Sequence, residues 1–464
     1  MTGRPGAQCA AEVATATLSR VPPTVRTLTA TTRAIADPGA LQAYLPAGDT
    51  WTAWLRRGEG VVGLGEALRF ETDSIHEADA WWAEVCRTLT HTSDVAPGYG
   101  VGPLAFGSFA FDPETSAARS VLVVPRVVVG RRAGAGWITA VDGEPDLPPP
   151  GEPFGAAPDV TWRTGALAPE AWEAAVAAAV TRIRAGELGK VVLARDVAGT
   201  AAQPIDVRQV LARLAGGYPS TWAFHVDGLV GATPELLVRR ERGLATSRVL
   251  AGTIRRHGEQ SDEVALAQAL AESSKDLAEH EYAVASVADA LAPFCSGMNV
   301  PDQPYVLKLP NVMHLASDVT GVCDRGDDAA GRGASALALA AALHPSAAVC
   351  GTPTVSALGL IRALEQLDRG RYAGPVGWID SSGDGEWGIA LRCGRVSGRT
   401  VQVFAGCGIV ADSEPEAELA ETRAKLVPMV AEAMPEVKDE GRVYTFRLRK
   451  GIPFTPDPAF KGGK

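Results

Sequence analysis

The chain has 464 residues, 46% of them hydrophobic and 21% charged, enough to bury a sizeable core in one large domain or two to three average ones. The formal net charge of −10 argues against a nucleic-acid surface, which needs clustered basic residues. No apolar run reaches the roughly 18–20 residues that span a bilayer, Met1–Arg20 lacks the apolar core of a signal peptide, and the seven cysteines show no paired spacing, so a cytoplasmic protein with reduced thiols and no zinc site is expected.

Residues 1–25 carry little pattern and read as a loose N-terminus. From Arg26 to Gly143 short β-like runs alternate with turns, among them Leu104–Phe111, Ser120–Val129 and Trp137–Val141, with a helix over Ile75–Leu89 between them. Glu144–Ala168, with Pro148, Pro149 and Pro150, reads as a connecting loop. Pro169–Ala185 has helical spacing with proline near its start. Gly189–Val197 reads as a strand, and Thr221–Val226 with Leu229–Arg239 as a hairpin pair. Ser261–Leu291 reads as one long helix, with Ser261, Asp262 and Glu263 suited to its N-terminus. Ser335–Leu343 and Thr354–Gln366 are further helices. Tyr372–Ile379, Trp387–Arg395 and Val401–Ile409 are strands, and Pro415–Ala433 is the last helix.

Strands mixed with long helices predict an α+β protein with antiparallel sheets. The similar mix in both parts suggests one large body of two pseudo-symmetric halves, a variable first half (26–160) and a second half (161–437) that holds the candidate site. Residues 438–464 break the composition, with seven basic and three acidic residues. Within this tail, Gly441–Lys464 resembles a fragment of a bacterial peptide-binding transport protein and is far too short to fold as one.

Lysine is scarce: eight against 36 arginines, and residues 1–437 contain only Lys190, Lys275, Lys308 and Lys425. A chain that otherwise writes arginine for positive charge has some reason to write lysine. One such reason is that lysine can lose its proton in a site that lowers its pKa, whereas arginine effectively cannot. Lys190 opens Lys190–Asp196 and shares a strand face with Val192 and Ala194. There it suits a general base, although by itself the pattern more often marks an ordinary lysine at a strand edge. Glu235 follows Pro234 near the start of an apolar strand.

Two helices carry carboxylates three residues apart, Asp276 with Glu279 and Glu418 with Glu421, so each pair shares one helix face. Two such faces could build an oxygen-rich Mg²⁺ site. Taken alone, the same spacing suits a solvated helix surface.

Residues 160–430 resemble the chorismate-utilising enzymes, which include isochorismate, salicylate, anthranilate and aminodeoxychorismate synthases. The resemblance runs in order through KVVLARD (190–196), GATPELL (231–237), LAGTIRR (250–256), SKDLAEHEYAV (274–284), VMHLASDVTG (312–321), ALHPSAAVCGTPT (342–354), RYAGPVGW (371–378), ALRCGRV (390–396) and FAGCGIVADSEPEAELAETRAKL (404–426). It implies a single sandwich of antiparallel sheets with helices outside. It implies Glu279 and Glu421 as direct Mg²⁺ ligands, with Asp276 and Glu418 holding metal-bound waters. Lys190 matches the lysine that activates water, and Glu235 the acid that protonates the departing hydroxyl. Arg392 and the backbone of Gly406 and Gly408 match carboxylate-binding positions. Gly252, Thr253, His314, Tyr372 and Lys425 match other pocket positions.

Lys190 favours water over ammonia as the incoming group. Ala348 and Thr354 stand where ammonia users and salicylate synthases carry a hydroxyl residue and a lysine. Both features resemble the isochorismate-forming members. The expectation is therefore an Mg²⁺-dependent isomerase acting on chorismate, a monomer without nucleic-acid or membrane partners, feeding menaquinone or siderophore synthesis. The alternative is a salicylate synthase or another chorismate-converting member.

Overall fold

The computed structural model describes residues 27–155, 159–255, 260–308, 312–324, 333–434, 437–438 and 443–444. Most of the apolar runs become strands of two sheets, of 13 and 10 strands among the described residues. The larger sheet runs Val160–Thr164, Lys190–Ala201, Thr400–Ile409, Cys393–Ser397, Leu229–Thr233, Trp222–Val226, Trp51–Arg56, Glu59–Leu64, Val127–Arg132, Ala135–Val141, Thr29–Ile35, Thr90–Ser93. The smaller runs Cys295–Asn299, Val312–Cys323, Leu244–Arg255, Leu236–Glu241, Gly385–Ile389, Pro375–Asp380, Leu104–Ser108, Ser120–Val124, Leu68–Thr72. The described pairings are antiparallel, except that Thr29–Ile35 lies parallel to Thr90–Ser93.

Both halves of the chain enter both sheets. They meet where Trp222–Val226 pairs with Trp51–Arg56 and where Pro375–Asp380 pairs with Leu104–Ser108. Neither sheet is complete without both halves, which is why the α+β body forms one domain. Trp54 and Phe224 of the larger sheet and Phe106, Trp378 and Trp387 of the smaller are buried in one apolar cluster. The helices Ile75–Thr88, Pro169–Arg184, Ala336–Leu343 and Thr354–Leu364 add Trp82, Trp172, Leu339 and Leu360 to it. A second cluster covers the far face of the larger sheet, where Val210, Leu211 and Leu214 of helix Val207–Gly217 pack on alternate strand residues such as Trp51, Ala53 and Leu55.

Several elements differ from the sequence expectation, each for a local reason. Leu229–Arg239 is two strands in different sheets, because Pro234 supplies no N–H to a ladder and ends the first of them. Trp387–Arg395 also divides between the sheets, at Ala390–Arg392. Ser120–Val129 is broken at Pro125. Ser261–Leu291 is two helices, Gln260–Glu272 and Ser274–Leu291, and Ser273 begins the second by accepting the Leu277 N–H on its carbonyl. Serine competes with helix continuation because its side chain offers the backbone other partners. The last α-helix ends at Val427, where Pro428 opens a wider π turn, Pro428–Ala433. The proline-rich connection contains one strand, Val160–Thr164. Most of residues 1–25 and 438–464 lie outside the described residues, apart from a short pairing of Val437–Lys438 with Val443–Tyr444.

One carboxylate ties the two sheets together. Glu386, 1% exposed, accepts from Trp54 Nε1 at 2.8 Å, Tyr99 OH at 2.6 Å and Arg239 Nε at 2.5 Å. Glu386→Ala leaves these donors without their acceptor and is expected to cost about 3–5 kcal/mol. Chemical unfolding checks it, and a loss below about 1 kcal/mol would contradict this role for the carboxylate.

Candidate active site

The site forms where the chain changes sheets twice, side by side. The first run leaves the larger sheet at Thr233, passes Pro234 and Glu235, and enters the smaller at Leu236. The second leaves the smaller at Ile389 and enters the larger at Cys393. The crossings are bonded to each other: Ala232 N donates to Arg392 O at 3.1 Å, and Ile389 N to Glu235 O at 3.2 Å. Arg392 has φ of 49°, a left-handed conformation that a non-glycine residue holds only when its surroundings impose it.

Lys190 approaches from the start of Lys190–Ala201. One edge of that strand meets Gly351–Thr352 at Lys190, and the other meets Thr400–Ile409. At Gly408 a Cβ would lie 2.8 Å from Lys190 Cε and 3.4 Å from Nζ, so the missing side chain leaves the lysine its path. At Gly406 a Cβ would come within 3.2 Å of the Tyr372 hydroxyl. Tyr372 is held by stacking on Phe404, with ring centroids 5.0 Å apart. Lys425 Nζ donates to Gly406 O at 2.9 Å and lies 2.6 Å from Glu421 Oε1.

These groups wall a cavity of about 910 Å³. Lys190, Glu235, Gly252, His314, Ala348, Tyr372, Arg392, Gly406, Gly408, Glu418, Glu421 and Lys425 all line it. The side chains of Thr253, Asp276 and Glu279 lie outside the described residues. By position, Thr253 pairs with His314 in the strand register, and 276 and 279 share a helix register with Ala283, which lines the cavity. Thr354 begins helix Thr354–Leu364. Among the described residues no group of three metal-ligating side chains is close enough to hold an ion.

Burial sets the charges here. Glu235 is pushed up to about 7 by desolvation, although the positive charges of Lys190, Lys425 and Arg392 oppose the rise. It is therefore about half protonated at neutral pH and largely protonated below it. His314 is pushed down to about 4, again by burial, with Arg392 and Lys425 adding to the effect. It stays neutral. Burial also lowers Arg392 and raises Tyr372. The cavity thus pairs a protonated carboxyl with a cationic wall and a carboxylate pair on the last helix, Pro415–Val427.

Sequence reading missed some of the wall. Tyr282, 71% exposed, stands at the mouth, and Asp412, Ser413 and Glu414 form part of the rim. Arg369 is buried in the wall. Its only sequence signal was an acid four residues before it, Glu365.

Residues 153–433 match the model of the family described as chorismate binding enzyme. The chain belongs to that family. Isochorismate synthase MenF of Bacillus subtilis is 32% identical over 405 residues, covering 80% of this chain and 84% of that protein. The crystal structure of DhbC from Bacillus anthracis, described as a putative 2,3-dihydroxybenzoate-specific isochorismate synthase, superposes with a TM-score of 0.68 at 30% identity, covering 84% of this chain and 97% of that one. Escherichia coli MenF, at 23% identity and a TM-score of 0.72, covers 87% of this chain and 94% of its own and shows the shared fold. A chorismate-binding family member therefore presents this cavity, and its second half carries every nominated residue.

Because the folded carboxyl of Glu235 titrates above the ordinary 4.5, its contribution to stability is full below that value and is lost as pH rises through about 7. Glu235→Gln copies the neutral form. Its stability relative to the parent is expected to increase by about 2 kcal/mol between about pH 5 and pH 8.5, read by urea unfolding. A gain that does not grow with pH would contradict the assigned protonation.

Proposed function

We propose that the chain is an isochorismate synthase, a cytoplasmic isomerase that converts chorismate to isochorismate for menaquinone or siderophore synthesis. The observation that carries the mechanism is the placement of a carboxyl held protonated, Glu235, in one cavity with Lys190. Relatives bearing that activity in their names, at up to 86% of their own length, support the reaction. The cavity of about 910 Å³ is ample for so small a substrate.

Chorismate carries two carboxylates, and Arg392 and Lys425 offer positive charge from the same wall. Gly406 and Gly408 keep that wall free of side chains, so a carboxylate can approach the backbone closely. Glu421 of the last helix and Glu279 of helix Ser274–Leu291 would hold Mg²⁺ directly, with Glu418 and Asp276 holding waters bound to it. An all-oxygen donor set fits that hard cation. When bound, Mg²⁺ supplies positive charge for the ring carboxylate and for charge developing as the C4 hydroxyl leaves.

In the reacting form, with its amine unprotonated, Lys190 takes a proton from water as the water oxygen bonds to C2. The ring double bonds shift, and the C4–O bond breaks. Glu235 gives its proton to the departing hydroxyl, which leaves as water. One water is consumed and one released. Moving a proton from Lys190 back to Glu235 resets the site. Ala348 offers no hydroxyl to the ring, which suits a reaction that stops before pyruvate is lost. The protein is taken to act as a monomer.

Incubation with chorismate and Mg²⁺, with products resolved by chromatography, tests the reading. Isochorismate is expected alone, approaching an equilibrium mixture with chorismate. Salicylate or anthranilate in its place would overturn the assignment. Lys190→Ala is expected to lower turnover by about 10²–10⁴-fold, and full activity in that variant would refute the assigned base.

A further inference from the structure

Three buried side chains, Trp172, Glu365 and Arg369, complete the edge of the strand that carries Lys190. Along one side, Lys190–Ala201 pairs with Thr400–Ile409 without a break from Val191 to Thr200. Along the other, Val160–Thr164 pairs only with residues 197–201, and Gly351–Thr352 only with Lys190 and Val191. Among the described residues the stretch between them has no neighbouring strand, and one backbone bond, Val192 N to Cys350 O at 2.8 Å, reaches into it. A buried backbone group left without a partner would be costly there.

Side chains take the place of the missing strand. Arg369 Nη2 donates to Val192 O at 2.7 Å. Ala194 N donates to Glu365 Oε1 at 2.7 Å, and Trp172 Nε1 donates to Ala194 O at 3.0 Å. Arg369 Nη1 donates to Val349 O at 3.0 Å, and its Nε donates to Glu365 Oε2 at 2.8 Å. Phe111 lies under the guanidinium, 4.1 Å from ring centroid to Cζ. Glu365 is 2% exposed and Arg369 is 4% exposed.

We propose that Glu365 and Arg369 are positioning residues that fix the strand carrying Lys190 against the turn containing Ala348, both of which line the cavity. One guanidinium grips both sides: Val192, two residues from Lys190, and Val349, next to Ala348. A guanidinium can do this because its planar fork directs several N–H groups along fixed lines, whereas a lysine ammonium is a compact charge on a flexible stem. A buried ion pair is weak as a source of stability, and apolar replacements are often as stable. The value of this pair lies in the geometry that it imposes. The catalytic consequence rests on the function proposed above.

Arg369→Lys keeps the charge and loses the fork. The double variant Glu365→Gln/Arg369→Met removes the ion pair without stranding a charge, and serves if the first variant folds poorly. In both, kcat for chorismate is expected to fall about 10–100-fold with KM within about 3-fold of the parent. Without substrate, amide hydrogen exchange is expected to accelerate at residues 190–194 and 347–352, while Glu59–Leu64 and Ala135–Val141 keep their protection. Unchanged kcat, or exchange accelerated evenly through both sheets, would overturn the proposal and leave the pair as general structural support. If the parent does not turn over chorismate, the functional reading fails by itself. The exchange pattern still decides whether the pair locks the two segments.

Discussion

The site depends on two runs of chain crossing between the sheets at one place, bonded to each other through Ala232, Glu235, Ile389 and Arg392. A crossing interrupts the ladder and turns the backbone into the gap between the layers. One crossing carries Glu235 and the other carries Arg392. Had either run stayed in one sheet, its functional side chain would have been one more alternating strand residue. The gap is deep enough for desolvation to outweigh three nearby cations at Glu235. That balance keeps a carboxyl able to donate a proton near neutral pH.

Around this crossing, each further group has its own support. Gly408 clears a path for Lys190, and Gly406 does the same for the Tyr372 hydroxyl. Lys425 is fixed between Gly406 O and Glu421, one turn earlier on its helix. Behind the cavity, Arg369 and Glu365 stand in for a strand. Small residues in front and a buried ion pair behind leave the wall firm but open. The proposed reaction holds an acid, a base and a dianion in register and would need such firm placement, because displacement of about 1 Å can cost 10²-fold in rate.

Much of the site was legible before the fold was known. Lysine scarcity narrowed attention to four residues, Lys190 among them, and the ordered motifs placed Lys190 with Glu235, Arg392 and the glutamates of the last helix. The α+β class followed from strand and helix periods. The sheet crossings were not legible, because an apolar run such as Leu229–Arg239 has the same pattern whether it lies in one sheet or two. Only Pro234 hinted at the break. Ser273 was equally quiet, since serine is tolerated inside many helices. The strands Leu244–Arg255 and Val312–Cys323 were read as motifs without their structure. Arg369 escaped notice for the opposite reason to Lys190: among 36 arginines, composition gives no single one any contrast.

The central claim is that Lys190 delivers an oxygen from water to C2 while Glu235 releases another from C4. Running the reaction in water enriched in ¹⁸O, and reading the early product by mass spectrometry, tests this directly. The account predicts isochorismate with one ¹⁸O in its C2 hydroxyl, while unreacted chorismate is still unlabelled. Unlabelled isochorismate would mean that the original hydroxyl had migrated within the ring, and would contradict the assigned roles of both residues.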